Sequence, residues 1–202
     1  PEEERQHLAQ IFRNHAVAGK SFTALENANL HKNGKRVILE SSGVPILDSH
    51  GKVIGYRGVA RDVTERKKAE EERERLMFAV EQAAEAIVIT DASAIIQYVN
   101  PAFEIMTGYK RGEALGGNLR ILESDIHDAA FYKDIWKTLT AGETWSGRLH
   151  NRKKDDTPYI AEVVISPVRD SSAKIINYIA VQRDITHELK LEEQLRQSQK
   201  ME

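Results

Sequence analysis

The sequence predicts an α+β fold, and three observations carry that prediction. Residues 149–188 read as three long strands in succession, the last running straight into a helix. The same arrangement recurs 122 residues upstream: Pro45 aligns with Pro167, Asp48 with Asp170, Lys52 with Lys174, Tyr56 with Tyr178, Asp62 with Asp184 and Thr64 with Thr186. Between the two copies lies a charged helical stretch, residues 64–84. The chain is therefore expected to hold two copies of one unit, the first incomplete.

In the first copy, residues 3–18 read as a helix with Leu8, Ile11, Phe12 and His15 on one face and Gly19 as its stop. Strands are expected around 22–30, 36–47 and 53–63, with Asn33-Gly34 as a hairpin turn. Thr64 is a candidate N-cap for the next helix, and Glu65 suits its positive end. Ala69, Arg73, Leu76, Val80, Ala83 and Ile87 recur at spacings of four and three. That stripe fits a dimer seam, or a solvated helix laying one apolar edge on its own domain.

The second copy is expected to be complete. Ala86–Thr90 and Ile95–Val99 read as short strands, and Asn100-Pro101 starts a helix, with proline where its missing N–H costs little. Phe103, Ile105 and Met106 are expected to face inward before Thr107-Gly108-Tyr109 breaks the helix. Gly116-Gly117-Asn118 reads as a flexible loop, and Asp128–Thr140 as an amphipathic helix carrying Phe131, Ile135, Trp136 and Leu139, closed by Gly142. The polar turns 153–157 and 169–174 then divide the three strands, and Asp184-Ile185-Thr186 offers a hydroxyl to cap a final helix, in which Leu191, Leu195 and Ser198 continue a four-three stripe.

Composition excludes several function classes. The 202 residues are 41% hydrophobic and 30% charged, with 29 basic and 31 acidic residues well mixed to a net charge of −2. Neither nucleic acid nor an anionic membrane is indicated as the main partner. With no cysteine there are no disulfides, thiolate metal sites or cysteine nucleophiles. No apolar run approaches the roughly 20 residues that span a bilayer. No nucleophile–base pair, phosphate-binding loop or carboxylate constellation stands out, so the residues themselves are expected to be non-catalytic and without a metal site. The start at Pro1 reads as a piece of a longer cytoplasmic polypeptide.

Asn100-Pro101-Ala102-Phe103, Thr107-Gly108-Tyr109, Trp145-Ser146-Gly147, Asn151-Arg152-Lys153-Lys154-Asp155, Ile165-Ser166-Pro167 and Arg183-Asp184-Ile185-Thr186 closely resemble a PAS sensory domain. The resemblance implies a five-stranded antiparallel sheet, helices on one face, and strand order two-one-five-four-three, with the last strand central and paired to 86–90. It divides the chain into the C-terminal half of a first PAS domain (1–66), a helical linker (67–85), a complete second PAS domain (86–188) and a signalling helix (189–202). The tail Leu195-Arg196-Gln197-Ser198-Gln199-Lys200-Met201-Glu202 resembles the approach to the dimerisation helix of PAS-bearing sensor histidine kinases. A cytoplasmic two-component sensor kinase is therefore the implied parent, and a homodimer through the linker and terminal helices the implied assembly. His187-Glu188-Leu189 is similar to a phosphoacceptor box, but Lys190-Leu191-Glu192 departs from its continuation.

The resemblance also points to a ligand. The loop Gly117–Leu122 resembles the light-oxygen-voltage subgroup, in which the position of Leu119 is the cysteine of the photoadduct; leucine cannot form that bond. Asn151 and Gln182 fall where that subgroup places flavin-contacting amides, whereas Ala161 stands where it has asparagine. Trp145-Ser146-Gly147 is similar to flavin-binding redox PAS sensors, where the tryptophan lies near the isoalloxazine. FAD or FMN is thus a candidate cofactor, with Asn118, Arg120, Trp145, Asn151 and Gln182 as its expected contacts, the amides reading the ring edge and Arg120 pairing with a phosphate. An unliganded dimerisation scaffold is the alternative. Asp62, Thr64, Asp184 and Thr186 are the expected relay residues, since a strand whose end is also a helix start can pass strain from sheet to helix.

Overall fold

The computed structural model describes residues 20–200 and falls into two units, Pro1–Arg75 and Leu76–Glu202. The helix expected over 3–18, its Gly19 stop, Met201 and Glu202 lie outside the described residues.

In the first unit, β1 (Phe22–Leu30), β2 (Arg36–Leu47) and β3 (Val53–Asp62) form an antiparallel sheet in that order. The Asn33-Gly34 turn forms as expected: Gly34 adopts φ 83°, and Asn33 Oδ1 accepts the Lys35 N–H. At the next turn Asp48 Oδ1 accepts the N–H groups of His50 and Lys52, and 122 residues on Asp170 Oδ1 accepts those of Ser172 and Lys174. The repeat is thus conformational as well as sequential.

Helix α1 spans Thr64–Glu81. Leu76, Met77 and Phe78, on its last turns, are exposed.

The second unit holds β4 (Ala86–Asp91), β5 (Ile96–Val99), α2 (Pro101–Thr107), α3 (Arg111–Ala114), a 3-10 turn at Leu119–Leu122, α4 (Ala129–Ala141), β6 (Trp145–Arg152), β7 (Pro158–Arg169), β8 (Ile175–Asp184) and α5 (Thr186–Gln199). Its antiparallel sheet has the order β5-β4-β8-β7-β6, so the last strand is central, with Ala86 opposite Gln182 and Val163 opposite Gln182 on its other side. Alternation places Ala86, Val88 and Thr90 of β4, Tyr159, Ala161, Val163 and Ile165 of β7, and Tyr178, Ala180 and Gln182 of β8 on the buried face. Phe103, Ala114, Ile135 and Leu139 cover that face from the helical side.

The caps follow local chemistry. Asn100 and Asp128 each accept the N–H three residues on, and Gly108 (φ 78°) and Gly142 (φ 85°) close their helices in the left-handed conformation. Three expectations need correction. Ile105 points to solvent at 84% exposure, because a two-turn helix buries one narrow face and Phe103 with Met106 occupies it. Gly116-Gly117 is not a free loop: Gly116 N–H donates to Ile96 O, and Gly117 O accepts from Ile96 N–H. Thr64 and Thr186 do not cap α1 and α5, since their hydroxyls are engaged with a neighbouring strand.

Candidate functional site

Between the sheet and α4 lies a cavity of about 90 Å3. Leu122, Ile135, Leu139, Leu149, Val163, Ile165 and Ala180 make it largely apolar, and Asn151, Gln182, Tyr132, Thr90, Asn118 and Arg120 bring polar atoms to it. Asn151 and Gln182 are 4% and 3% exposed, so each amide must find partners inside the protein. Asn151 reaches only a long bond from Nδ2 to the Tyr159 hydroxyl, 3.4 Å. Gln182 Oε1 and the Tyr132 hydroxyl are buried with no hydrogen-bond partner among the described residues. A buried acceptor without a donor costs about 1–3 kcal/mol, so Gln182 Oε1 is the atom of the cavity that stands open to a donor. Burial pushes the Tyr132 phenol up, and raises the Tyr159 phenol to about 12.

The structure brings together four of the five expected contacts. Asn118 lines the cavity but spends its Oδ1 on the Arg120 N–H, capping the 3-10 turn. Arg120 sits at the mouth, its guanidinium 3.7 Å from Glu123 and largely in solvent. Trp145 does not line the cavity; it packs edge-on to Phe131, ring centroids 6.3 Å apart, at the far end of β6. Trp136 stands in the wall instead, T-shaped against Tyr178. Tyr132, Trp136, Tyr178 and Glu123 were not singled out as site residues; only the apolar periodicity of α4 pointed towards its share. Leu119 lines the cavity as well.

Beside the mouth, His127 stacks on Phe131 with centroids 4.0 Å apart, and its Nε2 accepts the backbone N–H of His150 at 2.9 Å. The Ser124 hydroxyl donates to His150 O. Burial, then the neighbouring His150, hold His127 below its ordinary pKa.

The second feature is the end of β8. The Thr186 hydroxyl donates to Asp184 Oδ1 at 2.6 Å and accepts the Ile160 N–H of β7 at 2.8 Å, while the Thr186 N–H donates to the same Asp184 oxygen. In the first unit Thr64 stands in the same relation to Asp62 and to the Ile38 N–H of β2. One carboxylate therefore bonds the first residue of a helix, whose hydroxyl is pinned to the adjacent strand. Burial raises the Asp184 pKa, but the Thr186 hydroxyl and amide and Lys153, 3.4 Å away, outweigh it and leave it lowered.

A family model described as a PAS domain matches residues 84–187, just over half of the chain, and one described as a PAS fold matches residues 1–68. The chain belongs to the PAS domain family. Among relatives, the nitrogen fixation regulatory protein of Klebsiella oxytoca is 40% identical over 117 residues, 58% of this chain and 24% of that protein. The hybrid signal transduction histidine kinase L of Dictyostelium discoideum is 35% identical over 112 residues, 55% of this chain and 6% of that protein. The chain thus spans a quarter or less of these relatives' length. A light-oxygen-voltage domain solved in a study of a flavin analogue is 27% identical, with a TM-score of 0.51, covering 63% of this chain and 96% of that one. The PAS domain is therefore a sensory module whose relatives are signalling proteins. No described helix is long and apolar enough to cross a membrane, and no group of three or more His, Asp or Glu residues among the described residues is placed to hold a metal ion.

Proposed function

We propose that the chain is the sensing and relay region of a cytoplasmic signal-transduction protein, a two-component sensor histidine kinase, in which a cue at the second PAS cavity is passed along β8 to α5. The observation that carries this reading is the placement of Gln182 and Asp184 on one strand. Gln182 presents an unpartnered acceptor at the cavity, and Asp184, two residues on and therefore on the same face, holds Thr186 at the head of α5. A ligand group that donates to Gln182 Oε1 changes the load on β8 next to that bond. Asp62 and Thr64 serve the first unit in the same way. The segment itself performs no catalysis in this reading; α1 and α5, with exposed Leu76, Phe78, Leu191 and Leu195, supply the contacts of a parallel homodimer. In the full-length parent, the pair Asp184→Ala and Thr186→Ala should leave the circular dichroism spectrum native-like while removing cue-dependent output. Output that still follows the cue would sink the relay.

A second reading, that the cue is the redox state of a flavin, is favoured by the two buried amides and the orphaned Gln182 acceptor. The donor and acceptor set fits the ring edge, with Asn151 and Gln182 as its contacts, Asn118 beside them and Arg120 at the mouth for a phosphate. The cavity, at about 90 Å3, is below the roughly 300–1,000 Å3 of typical small-molecule sites. Tyr132, Trp136, Arg120 and Glu123 also line a surface groove outside the mouth, so these are the side chains whose rotation enlarges it. Trp145 would then act from the second layer through Phe131. A bound flavin would supply reversible electron transfer, without a cysteinyl adduct at Leu119. Freshly purified protein should show the two visible bands of an oxidised flavin, lost in Gln182→Leu. A colourless protein whose stability ignores added FAD and FMN but rises with its own concentration would instead favour a ligand-free dimerisation scaffold.

A further inference from the structure

Helix α1 ends without a glycine; the Gln82 N–H closes on Phe78 O and the Ala83 N–H reaches Val80 O at 3.3 Å, which leaves the end of the helix room for further partners. One such partner is Asn100, a side chain 1% exposed. Asn100 Nδ2 donates to Val80 O at 3.2 Å and to Glu85 O at 2.9 Å. Its Oδ1 accepts the Ile87 N–H at 2.9 Å and the Phe103 N–H at 3.1 Å. Both donors and both lone pairs of the amide are used, so nothing can shift at one without strain at the others. One buried side chain thus ties the end of α1 to the start of β4 and the start of α2.

A second set of bonds holds the same turn. The Tyr98 hydroxyl on β5 donates to Glu81 Oε1 at 2.8 Å, and Arg111 Nη1 of α3 reaches the same oxygen at 3.1 Å. The Arg111 guanidinium lies 4.8 Å over the Tyr98 ring. Glu81 is the last residue of α1, so its carboxylate is fixed by two elements of the second unit. β4 in turn pairs directly with β8, Ile87 opposite Val181 and Ala86 opposite Gln182.

We propose that Asn100, Tyr98, Glu81 and Arg111 form a clamp through which the upstream helix acts on the second PAS domain, giving that domain an input besides its cavity. Asn100 and Tyr98 are positioning residues in this scheme. A rotation or fraying of α1 pulls on Val80 O and Glu81, and the clamp delivers the displacement to β4, the neighbour of the relay strand. The clamp does not depend on the cavity or on the Asp184–Thr186 bond, so either can fail while the other holds.

Amide hydrogen exchange of the whole chain tests this. Ala69, exposed in the middle of α1, is changed to glycine to loosen the helix without touching the clamp. Ile87, whose N–H is held by Asn100, reports the far side, and Val163, buried in the middle of β7, is the control. Ala69→Gly should speed exchange at Ile87 by about fivefold, the equivalent of the ~1 kcal/mol helix cost of glycine, with Val163 unchanged. With Tyr98→Phe and Glu81→Gln also present, only Asn100 still links α1 to Ile87, so the same glycine should add clearly less than fivefold there. The clamp is overturned if Ile87 ignores Ala69→Gly, if the loosened clamp leaves the response intact, or if Val163 speeds up in parallel and the effect is global.

Discussion

Thr64 and Thr186 show how little side chain is needed to join a helix to a sheet. Each hydroxyl has one proton to give and uses it on the aspartate two residues back, leaving a lone pair for an N–H of the neighbouring strand. Valine keeps the shape and removes both functions, so Ile38 or Ile160 would lose its acceptor and the aspartate a donor. Thr186→Val should lower the stability of the second unit by about 1–3 kcal/mol, and Thr64→Val should do the same in the first, both read from denaturant midpoints. A change below a few tenths of a kcal/mol in both would show that the bond is ornamental. The residue pair was legible as a repeat, but its geometry was not. A threonine at a helix start reads as a cap, and only the three-dimensional neighbour reveals that a strand N–H competes for it.

At the scale of elements, strands with alternation and long helices with caps were the readable part. β6, β7 and β8 stand between polar turns in which Asp155 bonds the backbone N–H two residues on and Asp170 those two and four residues on, which is why their ends were visible. α3, four residues long, and the 3-10 turn at Leu119–Leu122 were not, since neither completes the periods that make a helical pattern detectable. For α2 the sequence predicts the right element but the wrong phase at Ile105, which faces solvent. The two neighbours should therefore behave oppositely. Phe103→Ala removes a side chain with no exposed surface and should cost about 3–5 kcal/mol, whereas Ile105→Ala should change stability by no more than about 0.5 kcal/mol. A large cost at Ile105 in the isolated chain would place a covering surface over it. The cavity was readable only in part: Asn118, Arg120, Asn151 and Gln182 through family likeness, Trp136 only as an apolar position of α4 and Tyr132 not at all, because a cavity wall is assembled from helix α4 and the sheet and has no spacing of its own.

For the molecule as a whole, His127 makes folding sensitive to mild acid. Its folded pKa lies below the ordinary value of 6.5, so the unfolded chain binds the proton more readily. The stability it contributes is therefore full above pH 6.5 and lost as the pH falls below that value. Protonated Nε2 becomes a donor and can no longer accept the His150 N–H. Asp184, with its pKa lowered from 3.8, adds a separate loss only at pH below that value. Between pH 7 and 5.5 the wild type should lose stability that His127→Gln, which has nothing there to protonate, does not; equal slopes for the two would remove His127 from the account.

The same bond has another consequence. β5 and β6 are the outer strands of the five-stranded sheet, and outer strands offer open backbone to any passing chain. On β5, Ile96 has its outward N–H and C=O taken by Gly117 and Gly116; on β6, His150 has its own taken by His127 and Ser124. Each border of the sheet is thus met by the protein's own loops at one residue, the first of β5 and the sixth of β6. A strand arriving at either border meets a residue whose outward N–H and C=O are already taken. The closure on β5 is made of backbone alone and is indifferent to pH, whereas on β6 the N–H is held by the His127 imidazole and the C=O by the Ser124 hydroxyl. Acid therefore loosens one bond at the β6 border and none at the β5 border.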